Sequence, residues 1–111
     1  MFEKNLLMGV LIGHYGRLLS ERKLDAMEMY YYEDLSLSEI AQQLGISRQG
    51  VRDLIVKAQE ELSFYEERLG LARLRTDAAE KIERIEALLR DCNASEELVE
   101  EFSTLCELIK A

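Results

Sequence analysis

The stretch that decides the fold is LSLSEIAQQLGISRQGVRDLIVKA, residues Leu35–Ala58. Ser36 and Glu39 have the spacing of a capping box, in which each side chain bonds the backbone amide of the other residue at the start of a helix. A helix is therefore predicted to begin at Leu37. Four of its eight residues are apolar, which is typical of a short helix that packs on a core.

A turn that contains glycine follows this helix. Gly45 can adopt the left-handed conformation at a helix end without steric cost, and Ser47 is an N-cap residue that predicts a new helix from Arg48. Two short helices joined by a turn of about three residues are typical of a helix-turn-helix. Ala41 is small where the helices cross, and the apolar residues predicted between them are Ile40, Leu44, Ile46, Val51, Leu54 and Ile55.

The composition agrees with an all-α fold. The 111 residues are 48% apolar and 32% charged, and they include no proline, the residue that most often interrupts a helix. Before the quoted stretch, helices are predicted to begin at Asn5 and after Ser20. The first has so wide an apolar face that burial is expected for Leu6, Leu7, Val10, Leu11, Leu18 and Leu19; the stripe of the second is Leu24, Met27 and Tyr31.

After the quoted stretch the helix is predicted to continue through Ala72, with Gly70 weakening it only locally. A break is expected at Asp91–Ser95 between two amphipathic helices. Residues 1–75 are predicted to form the helix-turn-helix domain and residues 76–111 a packing and dimerisation segment. The apolar seam assigned to the dimer interface consists of Ala78, Ile82, Ile85, Leu89, Leu98, Phe102, Leu105 and Ile109.

Several classes of function are not expected. The apolar run Leu6–Gly13 is shorter than the roughly 20 residues of a membrane helix, so no membrane insertion is predicted. His14 is the one histidine and has no nucleophile to serve, which argues against an enzyme. Cys92 and Cys106 lack metal-ligand spacing; they are interpreted as small core residues in a reducing cytoplasm, and no metal or cofactor is predicted. Tyr30–Tyr32 are assigned to packing before stacking on bases.

The segment LLSERKLDAMEMYYYEDLSLSEIAQQLGISRQGVRDLIVKAQEELSFYEERL, within Leu18–Leu69, resembles the YlxM-type helix-turn-helix proteins of bacteria. The likeness is most specific in YY, LSLSEIA and GISRQ. That family is similar to the promoter-reading C-terminal domain of sigma factors. The resemblance implies a regulatory role in the signal recognition particle pathway, with the particle's RNA or its GTPase as a partner.

The helix after Ser47 carries the candidate nucleic-acid site, because residues at the start of a recognition helix meet base edges in the major groove. Arginine can form hydrogen bonds with guanine, glutamine can do so with adenine, and valine can contact the thymine methyl group. Ser47 and the first backbone amides of the helix can bind a phosphate. The alternative is a solvated or protein-binding face. The predicted nucleic-acid-binding residues are Ser47, Arg48, Gln49, Arg52, Asp53, Val56 and Lys57.

Charge limits this hypothesis. The chain has a net charge of -8: residues 1–58 contain seven Lys or Arg and eight Asp or Glu, whereas residues 59–111 contain seven and fourteen. Because affinity for phosphate depends on cations, weak or conditional binding to DNA or RNA is expected, strengthened in a homodimer. The alternative function is an interaction protein whose acidic tail docks on a basic partner such as the signal recognition particle GTPase.

Overall fold

The computed structural model describes residues 5–110. Residues 1–4 of the predicted segment 1–75 and residue 111 of the predicted segment 76–111 lie outside the described part. Within it the predicted all-α fold is confirmed. A short 3-10 turn at Gly16–Leu18 connects the first two helices. The α-helices are α1 (Leu6–Tyr15), α2 (Glu21–Tyr31), α3 (Leu37–Leu44), α4 (Arg48–Leu69), α5 (Leu71–Asp91) and α6 (Glu96–Lys110). The chain divides into two compact units, one ending at Ala72 and the other beginning at Arg73.

The local signals for the helix-turn-helix are confirmed. The Ser36 amide donates to Glu39 Oε1 at 3.1 Å, and the Glu39 amide donates to Ser36 Oγ at 3.1 Å. Gly45 ends α3 with a φ of 69°, in the left-handed region. Ser47 caps α4 by accepting the Gly50 amide at 2.9 Å. Each of these features depends on residues within four positions of one another, which is why the sequence predicts them.

In the first unit α4 is the central helix, and α1, α2 and α3 all pack against it. Of the apolar residues predicted between α3 and α4, Ile40, Val51 and Ile55 are buried, and the others are partly buried against the same core. Ala41 of α3 is also buried there. An ion pair of 3.0 Å between Lys23 Nζ and Glu61 Oε1 also ties α2 to α4. The buried residues of α4 are Val51, Ile55, Ala58 and Leu62.

The predicted burial of α1 is partly wrong. Leu11 and Leu19 are buried, but Leu6 is 88% exposed, and Leu7, Val10 and Leu18 are also exposed. The face that packs inward consists instead of Met8, Leu11, Ile12 and Tyr15. Because α1 is apolar on every side, its sequence has no stripe to show which face packs inward.

The three consecutive tyrosines at the end of α2 all contact other helices of the first unit or its core. Tyr30 is buried, and Tyr31 accepts a hydrogen bond from Gln59 Nε2 at 2.6 Å. Tyr32 lies against Gly9 and Gly13 of α1, and its hydroxyl donates to the Gly9 carbonyl at 2.8 Å. The ring of Tyr32 therefore fills the strip that the two glycines leave open on α1.

The prediction that α4 continues through Gly70 is wrong. Gly70 has a φ of 63°, which ends α4 at Leu69, and α5 begins at the next residue. Tyr15 and Glu66 support this junction: the Tyr15 hydroxyl donates to Glu66 Oε1 at 2.6 Å and accepts the Leu71 amide at 2.9 Å. Glu66 Oε1 also accepts the Ala72 amide at 3.0 Å. The side chains of α1 and α4 thereby bond the first amides of α5, which lack partners within the helix.

The second unit contains the remainder of α5 and all of α6, separated by the break that the sequence predicts. Ser95 caps α6, because its Oγ accepts the Leu98 amide at 3.2 Å. Cys106 is buried, as predicted, whereas Cys92 is exposed, so the prediction of a core position for Cys92 is wrong. None of the helices in the described part of the chain has the length and apolar character to span a membrane.

Candidate nucleic-acid interface

The orientation of α4 on the core determines which of its side chains are exposed. Val51, Ile55 and Ala58 have no exposed surface, so the first three turns of the helix are fixed on the core along one side. Side chains on the opposite side of a helix must then point into solvent. Arg48, Gln49, Arg52, Asp53, Val56 and Lys57 are all exposed there, together with the cap residue Ser47.

The side chains at the start of α4 make contacts within the helix-turn-helix. Ser47 is exposed but its hydroxyl oxygen is already engaged by the Gly50 amide. Arg48 Nη1 lies 3.5 Å from Ser38 Oγ, at the long limit of a hydrogen bond. The Arg48 guanidinium is therefore directed across the start of α3. It keeps further donors on its outer edge, because a guanidinium carries five N–H groups.

Gln49 and Asp53 form the most defined contact of the exposed face. They lie one helical turn apart, and Gln49 Nε2 donates to Asp53 Oδ1 at 3.0 Å. The pair places an amide and a carboxylate together at the N-terminal end of the recognition helix. A carboxylate has no affinity for phosphate, so this part of the face suits a base edge better than a nucleic-acid backbone.

A groove that the sequence analysis missed adjoins these residues. It has a volume of about 540 Å³ and runs between Arg48 and Arg52 on α4 and the segment that leads into α3. Asp34 begins that segment with a φ of 56°, unusual for a residue other than glycine. No local signal predicts a groove, because its two sides are separated in sequence. The other lining residues are Tyr30, Leu35, Ser36, Leu37, Ser38 and Glu39.

Val56 and Lys57 lie apart from the first turn. At 1.5 Å per residue, Lys57 is about 12 Å along the helix axis from Gln49. Lys57 borders a shallow hollow of about 350 Å³ with Lys23 of α2 and with Glu60 and other residues of α4. The structure thus places Arg48 and Arg52 on the groove and joins Gln49 to Asp53. Lys57 lies beside carboxylates farther along α4.

The electrostatics of the interface are mixed. Arg48 and Arg52 face Asp34 and Glu39 across the groove. Backbone and side-chain hydrogen bonds with Ser36 lower the pKa of Glu39, so this carboxylate keeps its charge to a lower pH than an isolated glutamate does. Among residues 5–110 no group of three or more His, Cys, Asp or Glu side chains is arranged to hold a metal ion.

An all-α core with a capped α3, a glycine turn and an α4 that exposes its first turns defines a helix-turn-helix protein. Comparison with known sequences gives the family. The sequence model of UPF0122, described as "Putative helix-turn-helix protein, YlxM / p13 like", matches residues 2–102. The chain belongs to this family, and the resemblance found from the motifs is confirmed and extends into α6.

Relatives match over much of their own length. The UPF0122 protein of Caldanaerobacter subterraneus subsp. tengcongensis is 46% identical over 80 residues, which are 72% of this chain and 68% of the relative. The UPF0122 protein of Listeria innocua is 36% identical over 101 residues, 91% of this chain and 92% of the relative. That of Clostridium perfringens is 37% identical over 99 residues, with coverages of 89% and 86%.

Proposed function

We propose that this chain is a non-enzymatic regulatory protein that binds nucleic acid through the exposed start of α4. The observation that carries the proposal is the contrast between the two sides of this helix: Val51 and Ile55 are fully buried, whereas Arg48, Gln49 and Arg52 are exposed. A helix fixed in this way can enter the major groove without a change in the fold. Ser47, Asp53, Val56 and Lys57 complete the proposed contact surface.

Binding is expected to be weak in one chain and stronger in a homodimer. The net charge of -8 leaves few cations to replace the counterions of phosphate, whereas two linked copies double the contacts. We assign the dimer interface to residues 76–111. Of the predicted seam, Ile82 is buried within the unit, Ala78, Leu89, Phe102 and Ile109 are half-buried, and Ile85, Leu98 and Leu105 are exposed and available to a partner.

The resemblance to YlxM-type proteins gives two nucleic acids to compare: genomic DNA and the RNA of the signal recognition particle. Fluorescence anisotropy at low salt measures both with the same protein. Arg48→Ala with Arg52→Ala is expected to weaken binding by at least about 30-fold, from about 1 kcal/mol for each contact. Affinity should also fall steeply as salt rises.

A matched control removes the same charge elsewhere. Arg68→Ala with Arg90→Ala deletes two exposed arginines that lie away from the proposed contact surface at the start of α4. With both double variants measured at the same moderate salt concentration, where long-range charge effects are partly screened, this control should lose much less affinity than Arg48→Ala with Arg52→Ala. Equal losses in the two double variants, or no binding by the unsubstituted chain at low salt, would contradict the proposal.

A second function is favoured by one observation, the concentration of acid in the last half of the chain. Residues 59–111 contain fourteen Asp or Glu and seven Lys or Arg. In this alternative the acidic tail docks on a basic partner such as the signal recognition particle GTPase. Glu96, Glu97, Glu100 and Glu101 are exposed. Changing all four to Gln should abolish capture of the purified GTPase, whereas Arg48→Ala with Arg52→Ala should leave that capture unchanged.

A further inference from the structure

The hydrogen bond between Gln49 and Asp53 fixes the orientation of an amide on the exposed face of α4. Gln49 Nε2 lies 3.0 Å from Asp53 Oδ1. A carboxylate only accepts hydrogen bonds, so the amide must turn its nitrogen, and not its oxygen, toward Asp53. Both side chains are exposed, and no rearrangement of the core is needed for a ligand to reach them.

The Gln49 amide, held by Asp53, has one edge that can pair with a base. An amide nitrogen has two N–H groups, and Asp53 takes one of them. When Asp53 accepts the N–H farther from Oε1, the other N–H and Oε1 form a donor and an acceptor side by side. Adenine presents the matching pair in the major groove, an acceptor at N7 and an amino donor at N6, and glutamine pairs with both.

We propose that Gln49 is the specificity-determining residue of this interface and selects an adenine in the major groove of duplex DNA, with Asp53 as its positioning residue. The inference rests on the proposed function and narrows it to one kind of nucleic acid. Double-stranded RNA does not fit, since its major groove is too deep and narrow for side chains to read.

The charge of the Asp53 carboxylate also contributes to specificity. Its charge repels phosphate, which disfavours any docking that brings the DNA backbone to the centre of this face. Replacing Asp53 by Ala is therefore expected to have two opposite effects. Discrimination between bases falls because the Gln49 amide can rotate, while affinity for DNA of unrelated sequence rises.

The test is a selection from random-sequence duplexes with the full chain at low salt, followed by affinity measurements. The enriched duplex should contain an adenine whose replacement by 7-deazaadenine, which lacks the N7 acceptor, weakens binding by about 5- to 150-fold. The same replacement should change binding by Gln49→Ala less than twofold. Asp53→Asn, which can still accept from Gln49, should keep most of the discrimination that Asp53→Ala loses.

Lys57→Ala is the matched control, because it removes an exposed side chain farther along α4. It should weaken binding equally for the natural and the 7-deaza duplex. A selected site without adenine dependence, a cytosine preference that disappears with Asp53→Ala, or binding to RNA alone would overturn this inference while leaving nucleic-acid binding intact. Failure to bind any DNA or RNA would overturn the proposed function as well.

Discussion

Replacing Tyr15 by Phe tests the junction between α4 and α5 by removing a single oxygen atom. Tyr15 is 1% exposed, and its hydroxyl donates to the Glu66 carboxylate at 2.6 Å while accepting the Leu71 amide at 2.9 Å. A hydrogen bond to a charged group contributes about 1.5–3 kcal/mol to stability. The Leu71 amide loses its hydrogen-bond acceptor in the same variant. We therefore expect Tyr15→Phe to lower the free energy of unfolding by about 2 kcal/mol.

Urea denaturation followed by circular dichroism at 222 nm measures this loss. In a domain of this size it corresponds to a fall in Tm of about 8–16 °C. Tyr32→Phe is the matched control, because the Tyr32 hydroxyl donates to a neutral carbonyl at 2.8 Å from an exposed side chain. It should cost about 0.5–1 kcal/mol. A loss for Tyr15→Phe no larger than that for Tyr32→Phe would refute the role assigned to the Tyr15–Glu66 bond.

Three further predictions concern the same unit. Burial, and after it the hydrogen bond to Glu66, raises the pKa of Tyr15 above 10.0. The stability that the protonated Tyr15 hydroxyl contributes is complete below pH 10 and is lost as pH rises through the folded-state pKa. In urea titrations at alkaline pH, the free energy of unfolding of the unsubstituted chain should therefore fall more steeply than that of Tyr15→Phe. Ser36→Ala should cost about 1 kcal/mol at pH 7 through loss of the cap. Because Ser36 lowers the pKa of Glu39 from 4.5, the stability gained from the charged Glu39 carboxylate is present above pH 4.5. The difference in unfolding free energy between Ser36→Ala and the unsubstituted chain should therefore narrow as pH falls below 4.5. A difference that stays the same in acid would contradict the capping box. Gly45→Ala should cost about 1–2 kcal/mol of backbone strain at a φ of 69°, although an added Cβ would meet no atom of the described residues within 4 Å; thermal melting that shows no loss would refute the strain.

The helix-turn-helix was predictable because its signals are local. The Ser36 and Glu39 capping box, the left-handed Gly45 and the Ser47 cap each involve residues no more than four positions apart. The exposed face of α4 followed from helical periodicity once the start of the helix was known. The residues of the candidate interface could therefore be chosen without coordinates.

What could not be predicted depends on distant partners or on a glycine with two possible roles. The inward face of α1 is set by contacts such as that of Tyr15 with Glu66, 51 residues away. Gly70 is compatible with a weakened helix or with a helix end, and only the bonds at the next amides distinguish the two. The groove beside Arg48 likewise forms only when α3 and α4 are brought together.

The most direct test of the central claim follows backbone amides by NMR while a DNA duplex is added to the full chain at low salt. Our account predicts that the largest chemical-shift changes occur at the start of α4, at Ser47, Arg48, Gln49, Arg52 and Asp53. Changes confined to α6, or spectra that do not change at protein and duplex concentrations near 1 mM, where even nonspecific complexes form, would contradict it.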